Sequence, residues 1–595
     1  MPTAQEYLTE VAGLMKQSEF LKAYDLANTA LREHSQDRHL QHRAVLALAR
    51  IGAPARAQAR FVDLGLDAVN DDEEILALAA RLQKDLAFAL PKGARGAKLA
   101  EAARAYERAY HSGGGGYFPA INVASLHLLA GAREDALEWA DLADRLAASD
   151  PSYYGVATRA EAAVIRQNYA TASETLAHAA ALANEDFASM RSTRQQLRRL
   201  LDHQGQDASA MLAPLSAPMV VHFCGHLVAP ERSGGRFPAE EMPRVRAEVD
   251  AILAERNIRF GVGSLAAGAD IIIAEALLAA GGAFEAVLPF AKDEFVEVSV
   301  RSCGEGWVPR FEACLAAARS VTFVTEDAWL GDDDLFNYAS HLGMGLARLW
   351  SERLGSELGQ LAVWDGAGPL PGAGAGTVFD LARGNTMGLE QMVIASRHNL
   401  LPDLSLVSGA TGVETGDRRR RTMIFGDFKG FSRLGDAQLP LYVEHVLGAC
   451  ASVLARHREH LIFRNTWGDG LFQVYDDVAV AAEAALDLCK ALRELDLTAV
   501  GLPDTLGIRL GMHYGPVFER LDPVLERTNV FGFHVSKAAR IEPITPEGEI
   551  YVTDAAAAAL AVEARDSFQC DYVGRVPLAK GYGEFPMYAL ERRTG

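Results

Sequence analysis

The chain has 595 residues, too many for one hydrophobic core, so three or four domains are expected. Its net charge of -20 argues against general nucleic-acid binding, because a polyanion would be repelled. The six cysteines, with no CxxC pair, point to reduced thiols in a cytoplasmic protein and away from a disulfide framework or zinc site. No apolar run approaches a membrane span, and Met1-Pro-Thr-Ala-Gln-Glu6 has no basic segment leading into an apolar one. Neither membrane insertion nor a secretory leader is therefore expected.

Residues 1–212 read as helix after helix, rich in Ala, Leu, Glu and Arg. Three segments align through Ala103, Ala136 and Ala172, at spacings of 33 and 36 residues. Small residues at that period let paired helices approach closely. The region resembles a tetratricopeptide-type solenoid, which implies a docking surface for a protein partner; a helical spacer or dimerisation arm is the plainer alternative.

Residues 218–400 change to strands alternating with helices. Apolar runs at 219–224, 258–261, 286–289, 320–324 and 361–364 predict a parallel sheet covered by helices on both faces. Ligands bind such sheets at the C-terminal strand ends. Gly225, Gly263, Gly268 and the Gly-rich loop 366–376 fall there. Through Gly263-Ser-Leu-Ala-Ala-Gly-Ala-Asp270, Ile273-Ala-Glu275 and Val287-Leu-Pro289, the stretch is similar to Rossmann-like nucleotide-sensing folds of the LOG and DprA type. That resemblance implies a nucleotide-derived ligand, with Gly268 at phosphate and Asp270 at ribose. A catalytic alternative makes Glu275 the acid or nucleophile in cleavage of an N-glycosidic bond. Tight turns that only pack a helix on the sheet are the structural alternative.

Residues 401–420 read as a linker ending in the basic run Arg418–Arg421, expected to be a solvated hinge. From 421 to 595 the order is strand 422–427, an amphipathic helix from about 437 to 458, a hairpin (461–465 and 471–475) and a helix over 478–495. Strands at 506–513 and 517–520, joined through Tyr514-Gly-Pro516, follow. This βαββαβ order predicts a ferredoxin-like core. Asp427 ends the first strand and Asp469 sits in the Gly-Asp-Gly turn of the hairpin. On neighbouring strands the two carboxylates would converge and hold two divalent cations, as phosphoryl transfer needs.

Five blocks carry a more specific likeness: Phe425-Gly-Asp-Phe-Lys-Gly-Phe431, Asn465-Thr-Trp-Gly-Asp-Gly470, Leu510-Gly-Met-His-Tyr-Gly-Pro-Val517, Gly532-Phe-His-Val-Ser-Lys-Ala-Ala-Arg540 and Ala579-Lys-Gly-Tyr-Gly583. In that order they resemble the class III nucleotidyl cyclases, the adenylate and guanylate cyclase family. The resemblance implies conversion of a nucleoside triphosphate to a 3′,5′-cyclic nucleotide and pyrophosphate. Asp427 and Asp469, with the backbone carbonyl of Phe428, would hold two Mg²⁺ or Mn²⁺ ions per site. The amides of Phe431 and Ser432 would face phosphate oxygens, Arg540 would stabilise transition-state charge and Lys580 would reach the terminal phosphates. The family builds its sites from two subunits, which implies a homodimer through this domain. The other domains would then regulate it.

Departures from the family concern the base and the ribose. Asn465 and Asn529 stand where base-reading residues are expected, and Ser536 where an asparagine usually positions the ribose. An asparagine amide is both donor and acceptor, so ATP is the first expectation on prevalence alone, with cyclic GMP and cyclic pyrimidine products as alternatives. A further alternative is a catalytically degenerate cyclase fold that only reports nucleotide occupancy. His457 and His460 have no third ligand, and no GxxxxGK[ST] loop exists.

Overall fold

The computed structural model describes residues 2–229, 235–325, 329–331, 333–368, 375–398, 407 and 417–593. They form two compact units, one holding the chain up to Ala217 with Arg353–Gly355, the other Pro218–Glu352 and Ser356–Arg593. Most of the expected linker, and residues 369–374 of the Gly-rich loop, lie outside the described residues.

The first unit is helical from Ala4 to His203; successive helices pack on one another as far as Tyr169–Leu182, and Phe187–His203 packs back on Tyr153–Ile165 and Tyr117–Ala130. Local signals set its helix ends. Thr3 and Glu6 form a capping box, Asp37 and Asp72 accept the amides of Leu40 and Ile75, and Gly52 and Gly131 close helices in the left-handed conformation. Ala103, Ala136 and Ala172 lie on the helices Arg95–Ser112, Arg133–Ala147 and Tyr169–Leu182, and all three are buried. Their methyl groups sit in the core, as the repeat spacing requires.

The second unit contains two sheets. Strands β1 (Met219–Gly225), β2 (Ile258–Gly263), β3 (Ala283–Leu288), β4 (Ser320–Phe323), β5 (Leu358–Trp364) and β6 (Glu390–Ala395) form a parallel sheet in the order β4-β3-β2-β1-β5-β6. β6 escapes the apolar-run criterion because it begins Glu-Gln. The chain moves outward from β1 to β4, then restarts on the other side at β5. A crevice therefore opens beyond the C-terminal ends of β1 and β5.

The other sheet comprises β7 (Arg418–Lys429), β8 (Leu461–Trp467), β9 (Gly470–Tyr475), β10 (Gly507–Asp522), β11 (Arg527–Phe531), β12 (Ile550–Thr553), β13 (Phe568–Pro577) and β14 (Glu584–Arg592). Its order is β13-β14-β12-β10-β7-β9-β8, with β11 paired to β10. Within it, β10-β7-β9-β8 is the ferredoxin-like order that the sequence predicts.

Three expectations need correction. Arg418–Arg421 is the start of β7 rather than a hinge, because each of three arginines finds a partner. Arg418 lies over the Phe518 ring at 5.0 Å, Arg420 meets Asp334 at 3.3 Å and Arg421 donates to Glu519 at 2.6 Å. Tyr514-Gly-Pro516 makes no turn, since β10 runs unbroken through it. On one side β12 pairs with Leu510–Met512 and β11 with Phe518–Asp522. Pro516 falls between them, where β10 has β7 alone as neighbour and a proline is tolerated. The helix expected over 437–458 is interrupted by a π-helical segment, Tyr442–Leu447.

The helix Asp334–Leu354 belongs in sequence to the parallel-sheet region, yet it packs on the second sheet as well. Tyr338 donates to the Tyr514 carbonyl at 2.8 Å, and its ring meets His534 edge-on at 5.8 Å. A Cβ on Gly345 would lie 2.3 Å from the Ala558 carbonyl oxygen. Gly345→Ala should therefore destabilise the second unit by about 1–3 kcal/mol, because backbone must move. Urea titration followed by tryptophan fluorescence checks this.

Candidate active site

Register brings the two aspartates together. Asp427 on β7 faces Gly470 of β9, and the turn before Gly470 contains Asp469. Gly468 makes that turn with a φ of 65°. The Phe428 amide then donates to the Asp469 carbonyl at 3.2 Å, which extends the ladder one step and holds the turn against β7. Phe428 is buried, and Phe425 stacks on Phe472 at 4.2 Å, so apolar contacts fix the strand below the carboxylates.

On the other side of β7, Arg509 of β10 faces Asp427 and donates to it at 2.8 and 3.1 Å. Arg509 also pairs with Glu542 and donates to the Pro543 carbonyl at 3.3 Å. Burial pushes the Glu542 carboxyl up to about 7, against the pull of Arg509. The sequence reading missed both residues. Arg509 shows only as a charge inside an alternating apolar strand.

Among the described residues no cluster of three or more His, Cys, Asp or Glu side chains could hold a metal. The protein thus offers two carboxylates and nearby backbone oxygen. That set fits Mg²⁺ or Mn²⁺, which keep few protein ligands and take the rest of their shell from phosphates and water. Beyond β7, Gly430 (φ 88°) turns the chain into the short turn Phe431–Arg433, with Phe431 seated on Tyr442 at 4.9 Å. The first amides of such a turn have no acceptor within it.

Ser536 is exposed on the helix Phe533–Ala538. Arg540 follows, and its buried Nε has no hydrogen-bond partner. The Ala579 amide donates to the Arg540 carbonyl at 3.4 Å, which brings the exposed Lys580 into the same neighbourhood. Lys580 itself has φ 62° and ψ 31°, a conformation that side chains other than glycine seldom adopt. Among the described residues, no hydrogen bond or ion pair joins Asp427 or Asp469 to Ser536, Arg540 or Lys580.

At the positions expected to read the base, Asn465 accepts from Arg527 at 3.2 Å, and Arg527 lies over Phe463 at 4.8 Å. Asn529 donates to Asp522 at 2.9 Å and accepts from the Val530 amide at 2.9 Å. Arg527 was not anticipated, since nothing in sequence links the tip of one hairpin to the next. His457 and His460 hydrogen-bond to Asp487 and Asp476 instead of forming a metal site.

The parallel sheet has its own cavity, about 640 Å³, beyond the ends of β1 and β2. Gly225, Gly263 and Asp270 line it. Gly268 instead lets two loops touch: with φ 122°, a Cβ there would lie 2.5 Å from the Val228 amide nitrogen. Glu275 is outside the cavity lining and is held by Arg310 through two hydrogen bonds of 2.8 and 2.7 Å. The expected acid or nucleophile is thus a surface ion pair. Asp270 is 6% exposed; its Oδ2 accepts the Ala266 amide at 3.2 Å and its Oδ1 has no partner. Burial raises its carboxyl to about 7, and burial raises that of Asp380, also lining the cavity, to about 6.

Comparison with known proteins agrees with this architecture. Residues 418–592 match the adenylate and guanylate cyclase catalytic domain, and residues 19–127 match the Tetratricopeptide Repeats-Sensor family. The chain thus carries a catalytic domain of the adenylate and guanylate cyclase type at 418–592 and a tetratricopeptide-type repeat region at 19–127. Similar solved structures include the guanylate cyclase domain of RhGC from Catenaria anguillulae, bound to GTP. It is 19% identical, with 30% of this chain and 100% of that one covered, at a TM-score of 0.26. The adenylyl cyclase CyaB from P. aeruginosa is also 19% identical, covering 30% and 98%, at 0.27. An adenylate cyclase from Trypanosoma brucei, solved as a monomer, is 22% identical, covering 29% and 89%, at 0.26. No curated protein matches.

A carboxyl raised by burial stabilises the fold when protonated, so its contribution is lost as pH rises through about 7. Asp270→Asn should therefore raise Tm above the parent's at pH 8 and leave it unchanged or lower at pH 5. Thermal scans at the two values check the sign.

Proposed function

We propose that the protein is a nucleotidyl cyclase that works as a homodimer, making a 3′,5′-cyclic nucleotide and pyrophosphate. The observation that carries this reading is Asp427 beside Asp469 across β7 and β9, with Arg540 and Lys580 grouped elsewhere on the same domain. The ribose 3′-oxygen attacks the α-phosphorus and loses its proton. The bond from that phosphorus to the bridging oxygen breaks, and pyrophosphate leaves. Divalent cations at the aspartate pair would ease loss of the hydroxyl proton and neutralise the triphosphate. Arg509 keeps Asp427 oriented before substrate arrives. The planar guanidinium of Arg540, with an Nε that has no hydrogen-bond partner among the described residues, is suited to charge on the α-phosphate as it builds. Lys580 serves the terminal phosphates, and Ser536 the ribose.

Two half-sites per chain mean that one chain's aspartates meet another's Arg540 and Lys580, giving two equivalent sites. The degenerate alternative is disfavoured, since a lapsed enzyme has no reason to keep the aspartate pair and its arginine. The free cysteines suit a reducing compartment such as the cytoplasm.

Base choice follows from Asn465. Arg527 is a pure donor, so it takes Asn465 Oδ1 and leaves the amide hydrogens to face the base. Guanine O6 and uracil O4 accept such a bond, while adenine and cytosine carry an amino donor at that edge. We therefore place GTP and UTP ahead of ATP and CTP, against the expectation from prevalence.

Product formation from each of the four triphosphates, with Mg²⁺ and with Mn²⁺, tests both claims. Asp427→Ala should lower turnover at least about a hundredfold with every base. A parent that makes no product, alone or at high protein concentration, would sink the cyclase reading. Arg527→Ala frees Asn465 Oδ1 as an acceptor and should narrow the preference for GTP and UTP by about tenfold. An unchanged ranking would remove Arg527 from base selection.

A further inference from the structure

The cavity of the parallel sheet and the cyclase domain share one wall. The helix Asp334–Leu354 presents Phe336, Asn337, Ser340 and Gly343 to the cavity. Its residues Asp334, Tyr338, His341 and Gly345 meet the cyclase domain. At about 100° per residue, Tyr338 and Ser340 are about 200° apart, as are His341 and Gly343, so most of the cavity stripe faces away from the cyclase stripe, with Asn337, about 40° from His341, at their border. A displacement of the cavity face therefore displaces the cyclase face as well.

What the cavity would hold follows from its polar groups. Asp270 lines the cavity, and its buried Oδ1 lacks a donor, a deficit that a ligand hydroxyl would remove. Ser264, Ser299, Ser302 and Thr377 add hydroxyls, while Val287, Phe295 and Phe336 supply apolar surface for a flat ring. Among the described lining residues, positive charge is already spent. Arg236 is tied to Asp365 by two bonds of 2.6 Å and donates to the carbonyls of Ala367 and Gly368 at 3.0 and 3.1 Å. His226 is bonded to the same Asp365 at 3.0 Å. A phosphate would then meet Asp270 and Asp380 with no free cation among the described lining residues.

We propose that this cavity binds an uncharged ribonucleoside-like polyol, its hydroxyls donating to Asp270, and that the shared helix carries occupancy to the cyclase site. Asp380 is the second contact, since it accepts from Ser340 Oγ and lines the cavity. A ligand hydroxyl competing for Asp380 loosens Ser340. Arg383 holds the next residue of that face through Asn337 at 2.7 Å. On the far side, Tyr338 holds the Tyr514 carbonyl and the His534 ring. His534 lies on the helix that carries Ser536 and leads to Arg540. Asp334 meets Arg420 near the start of β7, the strand that ends beside Asp427. The link to turnover rests on the cyclase reading above; the binding site does not.

The test uses the full chain. Calorimetric titration with adenosine, guanosine, cytidine and uridine should find at least one that binds. Its 5′-monophosphate should bind at least tenfold more weakly, and spermidine should not bind. Asp270→Asn, which keeps the side-chain shape and the Ala266 bond, should abolish nucleoside binding. The bound nucleoside should change cyclic-nucleotide production at least threefold. It should also shift the affinity for a 3′-deoxynucleoside triphosphate, which cannot cyclise, so coupling is readable even if the cyclase proves inactive. Tyr338→Phe should keep nucleoside binding and lose both responses.

Failure of every nucleoside to bind, tighter binding of the monophosphate, or binding of spermidine alone overturns the ligand class. Nucleoside binding that moves neither readout overturns the coupling. An effect that survives Asp270→Asn arises at the cyclase site and overturns the assignment to this cavity.

Discussion

The register of β7 between β9 and β10 is the constraint on which the rest depends. Asp427 has Gly470 on one side and Arg509 on the other. A slip of one residue would turn Asp427 to the opposite face of the sheet and bring Gly426 or Phe428 in its place. What prevents the slip is the apolar set below: Met423 and Ile424 are fully buried, and Phe425 stacks on Phe472. Hydrophobic burial, which has no direction of its own, thereby fixes the position of two charges to within a hydrogen bond. Arg509 makes that position tolerable before substrate arrives, since it gives Asp427 and Glu542 a shared counter-charge.

How much could be read from the sequence varied with how local the physics was. Asp427 and Asp469 were legible because each sits beside a turn signal inside a strand pattern. The ferredoxin-like order followed from strand and helix periodicity alone. Arg509, Glu542 and Arg527 were not, because their partners lie in other elements and a charged residue has no periodicity. The same blindness turned Arg418–Arg421 into a solvated hinge: four adjacent arginines look like a solvated run until Phe518, Asp334 and Glu519 are in place. In the parallel-sheet region, Asp270 was legible as a residue on a Gly-rich loop. The partner of Glu275, which was offered there only as an alternative, was not legible because Arg310 comes 35 residues later.

The interior of the second unit shows how a fold can hide polar groups without charging them. His513 bonds to Thr553 and His534 at 2.8 Å each, with the two rings stacked. Burial pushes His534 down to about 3, so it stays neutral across the physiological range. The pair therefore behaves as a rigid polar spacer between the central strand and the helix bearing Ser536. It is no pH switch, and its geometry is preserved where solvent charges fluctuate.

The helix Asp334–Leu354 also sets a limit on modularity. Sequence motifs would place a domain boundary near residue 420, and a protein engineer would cut there to transplant the catalytic part onto another sensor. Such a cut leaves behind the helix that covers Tyr514, His534 and Ala558, and it uncovers a surface shaped for close backbone approach. A graft that keeps the helix with its catalytic partner, and rebuilds only the strands and loops beyond it, respects the packing. The stretch matched as a catalytic domain thus lacks a helix that packs on it.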